Sequence, residues 1–168
     1  MEVINYLKLQ ASSMQELVDA AFQGLTDEQL TWIPPGAANP IGLTALHMIS
    51  STDYFLSILT GKPRLWEAQG WKGQFNLAEP PGYGDDWTAF RHGTVTVEGL
   101  KSYLVVVRVE LDFYLQALTP EGLDRPVKLW TDNDPAAAVL ALLFGHMMLH
   151  AGEMAALKGV YGGKGLPF

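Results

Sequence analysis

The chain predicts an all-α fold, a four-helix bundle, on three observations. Apolar residues recur at alternating steps of three and four over long stretches, the pattern of a buried helix face. Helix-stop and helix-start residues separate four such stretches, and no segment reads convincingly as a strand. The 168 residues amount to about one domain at ~150 residues each, and four packed helices are the economical way to bury these stripes.

The first helix places Ile4, Leu7, Ala11, Met14, Val18, Ala21 and Leu25 on one face. It stops near Gly24, where Thr26 and Gln29 have the spacing of a capping box for a short turn before Trp32-Ile33-Pro34-Pro35. Asn39-Pro40 predicts the start of the second helix, with Asn as cap and Pro in the first helical position. That helix runs to about Thr60, where Gly61 supplies a left-handed cap and Pro63 prevents continuation.

From Gly61 to Gly84, eight of 24 residues are Gly or Pro, interleaved with Trp66, Trp71, Phe75 and Tyr83. This predicts a long aromatic loop at about 61–84 that either covers a binding site or is anchored to the bundle by its rings. The third helix, about Val97 to Leu118, carries Leu100, Leu104, Val107, Leu111, Tyr114 and Leu118 on its stripe, and this periodicity outweighs the β-branched run Val105-Val106-Val107. Asp134-Pro135 opens the fourth helix as Asn39-Pro40 opens the second, and it extends to about Val160. The chain thus reads as one unit, 1–168, built from two helix-turn-helix halves.

Eleven Lys and Arg against 18 Asp and Glu leave a net charge of -7, with no basic cluster, which argues against nucleic-acid binding. The chain has no cysteine, which excludes disulfides, thiolate metal sites and a cysteine nucleophile. Its first residues lack the basic and apolar regions of a secretory signal, and Ala136 to Gly145 is far shorter than the ~20 residues of a membrane span. The expectation is a cytoplasmic protein that does not cross a membrane.

The fourth helix breaks its own pattern. Its stripe, Val139, Leu142, Leu143, His146, Leu149, His150, Glu153 and Leu157, has two imidazoles and a carboxylate where apolar residues belong. Unpartnered polar groups inside a bundle cost ~1–3 kcal/mol each, and a divalent cation offsets this cost. His146 and His150, four apart on one face, can share one ion. They lack the Glu after the first His that marks helical zinc proteases. His47 on the second helix offers a third ligand, and Thr44, Ser50, Ser51 and Tyr54 one turn to either side of it suggest a pocket wall. The competing reading of the three histidines is a hydrogen-bonded polar network. Glu153 is open to three roles: fourth ligand, general base on a metal-bound water, or acceptor orienting His150. His92, beside Arg91, reads as a solvated side chain, and Arg108 with Asp112 as an intrahelical ion pair or, alternatively, Arg108 as facing the pocket.

Trp32-Ile33-Pro34-Pro35 with Asn39-Pro40-Ile41-Gly42-Leu43-Thr44-Ala45-Leu46-His47 resembles the second-helix signature of the DinB/YfiT-like superfamily. His146-Met147-Met148-Leu149-His150-Ala151-Gly152-Glu153 resembles its fourth-helix signature, in which Gln is more usual than Glu at the last position. The resemblance implies a four-helix bundle with a divalent metal, zinc or nickel, on His47, His146 and His150, and commonly a homodimer. It also implies a metal-dependent enzyme that activates a low-molecular-weight thiol, of bacillithiol or mycothiol type, or water against a small-molecule electrophile. On this expectation Glu153 is catalytic, Tyr54 contacts the cosubstrate, and the loop closes over the substrate. The alternative is a non-catalytic, stress-associated metal-binding protein acting through a protein partner.

Overall fold

The computed structural model describes residues 2–166; residues 1, 167 and 168 of the expected 1–168 span lie outside the described residues. Four long helices form the bundle: α1 (Val3–Phe22), α3 (Ile41–Thr60), α6 (Val97–Ala117) and α8 (Ala136–Val160). Short helices α2 (Asp27–Thr31), α4 (Leu65–Ala68), α5 (Trp71–Phe75) and α7 (Pro120–Leu123) fill the connections. Strands β1 (Pro126–Val127) and β2 (Asp134–Pro135) form one small antiparallel bridge.

The stripe of α1 buries Ala11, Met14, Val18 and Ala21, while Ile4 and Leu7 nearer its start are half-buried. The capping box forms: the Gln29 amide donates to Thr26 Oγ1 and the Thr26 amide to Gln29 Oε1. Thr119 caps α7 in the same way by accepting from the Gly122 amide, so the echo between the two halves is one of shared cap chemistry. Gly61, with φ 71°, closes α3 in the left-handed region.

Helix α3 sits at the centre, with α8 along one side and α6 along the other, and α1 packs beside α8. Residues Ile41 to Ser50 are therefore buried all round. Gly42 permits the approach of α2, since a Cβ there would stand 2.9 Å from the Leu30 carbonyl oxygen.

Several expectations are corrected. Pro40 and Pro135 are caps, not first helical residues, and no side chain caps α3 or α8. Asp134 turns back to accept from the Trp130 and Thr131 amides. This satisfies its own turn, while the Asp134-Pro135 backbone pairs with β1.

The 61–84 segment contains α4 and α5 because Asp53, 1% exposed on α3, accepts from the Leu65 and Trp66 amides and fixes the start of α4. Trp66, Trp71 and Phe75 are buried in contact with Tyr103 of α6. These rings are anchors, and of the four aromatics only Tyr83 is exposed. Arg108 neither pairs with Asp112 nor faces the histidines; it donates to Asp19 Oδ1 and the Gln15 carbonyl of α1, closing α6 onto α1. Leu149 is exposed because α8 is covered by α1 and α3 on one side only.

By length and composition α8, 25 residues long, is sufficient to cross a membrane. The sequence expectation ends the apolar stretch at Gly145, short of this length. Here the helix packs along α1 and α3 with His146, His150 and Glu153 only partly exposed and Lys158 buried.

Candidate metal centre

The contact between α3 and α8 brings together the three histidines that the sequence singles out. His47 is buried, and His146 and His150, one turn apart on α8, are half-buried. One ring nitrogen from each lies within 4.8 Å of the others, and the Nε2 atoms of His47 and His146 stand 3.1 Å apart. Two nitrogens on one tetrahedral zinc, each ~2.05 Å from the ion, are about 3.3 Å apart. The spacing of the rings therefore suits a shared ion.

The hydrogen bonds around the rings determine which nitrogens are free. His47 Nδ1 donates to the Pro81 carbonyl at 2.7 Å; a carbonyl only accepts, so Nδ1 carries the proton and Nε2 presents a lone pair. His150 Nδ1 lies 2.8 Å from Glu153 Oε2, an arrangement in which the carboxylate accepts and Nε2 of His150 is left free. His146 Nδ1 is buried without a hydrogen-bond partner, so no neighbouring group holds this ring from behind.

Burial lowers the pKa of His47, with His150 adding to the effect. Burial pushes His146 down to about 3, reinforced by His150 and His47 beside it. Both rings are neutral at physiological pH, the state in which imidazole binds a metal. Three neutral imidazoles form a borderline donor set suited to zinc, nickel, copper or iron. The residues present fit a divalent transition metal.

A cavity of about 590 Å³ opens beside the rings, with His47 and His146 in its wall. Ser50, Ser51 and Tyr54 line it as the polar strip predicts, whereas Thr44 is fully buried with its hydroxyl unpartnered and takes no part in the lining. Tyr54 is 46% exposed at this wall. Glu153 lies next to His150. His92 is exposed, as expected.

Sequence reasoning missed three contributors. Pro81 sets the His47 tautomer from 34 residues away. Trp87 packs its ring 4.8 Å from that of His47 and is held by a bond from its indole N–H to the Gly82 carbonyl. Arg64 lines the cavity. The Pro80-Pro81-Gly82 turn was the available signal for the first two, but nothing local says which histidine a carbonyl will meet.

The profile of the DinB superfamily matches residues 10–154. The chain belongs to the DinB superfamily. A search of the curated proteins returns no match. Among solved structures, this DinB chain is similar to a conserved protein from Enterococcus faecalis, with a TM-score of 0.80 at 20% identity over 96% of this chain and 99% of that one. At that identity the likeness extends to the fold. The all-α DinB-like architecture expected from the sequence is the one found.

Proposed function

We propose that this DinB protein is a metal-dependent enzyme that activates a low-molecular-weight thiol, or water, and directs it at a small-molecule electrophile. One observation carries the reading: one ring nitrogen from each of three imidazoles gathers within 4.8 Å of the others at the edge of an open cavity, with Nδ1 of His47 and of His150 tied to Pro81 and Glu153. His47, His146 and His150 are the ligands. A divalent ion bound there lowers the pKa of a coordinated thiol or water. Zinc or nickel suits the donors, and bacillithiol or mycothiol suits a chain with no cysteine of its own.

Pro81 fixes the His47 ring. Glu153 accepts the His150 N–H and holds that ring to the centre, which favours the orienting role over direct ligation. Trp87 limits water on one side of His47, and Tyr54 with Ser50 and Ser51 offers hydroxyls to a bound cosubstrate. A homodimer in the cytoplasm completes the reading. The cavity beside the ligands favours catalysis over a closed, purely structural metal site.

Elemental analysis of the purified protein tests the centre. Stoichiometric metal is expected in the wild type and its loss in His47→Ala and His150→Ala. Unchanged stoichiometry in both variants refutes the site, and absence of metal-dependent turnover with a panel of bacterial thiols and electrophiles refutes the transferase.

A further inference from the structure

The cavity beside the histidines is lined by no carboxylate and, histidines aside, by a single charged side chain among the described residues, Arg64. In a chain with 18 acidic residues and a net charge of -7, that selection of charge is informative. Arg64 precedes α4, and the bonds from the Leu65 and Trp66 amides to Asp53 hold its backbone against α3. Asp53 is six residues along α3 from His47, about 9 Å at 1.5 Å per residue.

The Arg64 side chain is 21% exposed, and its Nε is buried without a hydrogen-bond partner. Its Nη1 stands 3.5 Å from both Glu67 and Glu79, whose side chains are 50% and 67% exposed. Charge-assisted bonds are ~2.7–2.9 Å long, and exposed pairs at longer range contribute little. The guanidinium is positioned and charged, but its fork is not engaged.

Resting on the proposed function, we infer that Arg64 binds a carboxylate on the small-molecule ligand and so orients its reacting end toward the histidines. The ligand class is an organic acid whose carboxylate is separated from the reacting atom by several bonds, with apolar atoms against Phe55, Leu142 and Trp130 of the cavity wall.

Matched probes test this. Hexanoate and hexanol are titrated calorimetrically into the metal-free protein, and mercaptohexanoate and mercaptohexanol into the cobalt-substituted protein, where a sulfur-to-cobalt band reports thiolate ligation. The acid is expected to bind about ten- to a hundredfold more tightly than the alcohol. Arg64→Gln is expected to abolish that preference with alcohol binding unchanged, and Arg64→Lys to keep part of it. Glu79→Gln, which removes one of two weakly competing carboxylates, is expected to leave the preference at least as large as in the wild type, and Arg64→Lys provides an independent test if Arg64→Gln does not fold. Equal affinity for acid and alcohol in the wild type, a preference that survives Arg64→Gln, one undiminished in Arg64→Lys, or one that falls in Glu79→Gln overturns the inference. Loss of the cobalt band for both thiols, with the hexanoate preference intact, overturns thiol activation and leaves Arg64 as a carboxylate site.

Discussion

His47 and His150 each commit one ring N–H to a fixed acceptor, and the chemistry of the centre depends on those two commitments. Glu153 is the more informative to change. Glu153→Ala is expected to weaken metal binding by about 10- to 100-fold in competition with a chelator, and Glu153→Gln, which keeps an acceptor oxygen, to recover most of the loss. A Glu153→Ala variant as metal-free as His150→Ala would make Glu153 a ligand instead. The pH dependence follows from His146. Its folded pKa of about 3 lies below the ordinary imidazole value of 6.5, so in acid the unfolded chain takes up a proton that the folded chain refuses. Stability of the metal-free protein is therefore full above pH 6.5 and falls as pH drops toward about 3. Urea midpoints across that window are expected to show a shallower acid slope in His146→Leu than in the wild type.

Among the elements, α3 organises the molecule through Asp53 as much as through its apolar residues. This buried carboxylate accepts from two amides at the start of α4 and from the Tyr103 hydroxyl of α6 at 2.7 Å. It thereby ties the 61–84 segment and a neighbouring helix to α3. Asp53→Ala is expected to cost about 1–3 kcal/mol for each donor left buried without an acceptor, with a lower urea midpoint and altered tryptophan fluorescence as Trp66 loosens. Local spacing made the capping box and the helix stripes legible, but not this tie. Asp53 reads from sequence as one more polar residue on α3, and its donors arrive from beyond the end of the helix. The same blindness explains Arg108, whose partner lies on α1 and not one turn away. Lys158 is a third case: 4% exposed, it donates to the Ala21 and Gln23 carbonyls, supplying acceptor-end partners that α1 lacks on its own.

For the whole molecule, the asymmetric covering of α8 has a consequence for assembly. Its open side presents Ala141, Gly145, Met148, Leu149, Gly152 and Ala156, all exposed and all small or apolar, on the helix that also carries His146 and His150. The proposed homodimer is expected to bury this strip. Light scattering on the wild type is expected to give the mass of two chains, and a Met148→Glu, Leu149→Glu double variant to give one, with metal content retained. A wild-type chain that runs as a monomer under the same conditions removes the homodimer from the reading.

Sequence by itself determined the four long helices, the threonine caps of the short helices α2 and α7, the left-handed stop at Gly61 and the identity of the three histidines. Each depends on bonds or faces set within a few residues along the chain, where helical geometry leaves little choice. Tertiary structure alone decided which nitrogen of each ring is free, what covers the 61–84 aromatics, which side of α8 is open and where Arg64 points. Those outcomes turn on partners 34 and 99 residues apart, as in His47 with Pro81 and His47 with His146. Such pairs meet only when whole helices pack, and no local rule fixes the register of that packing.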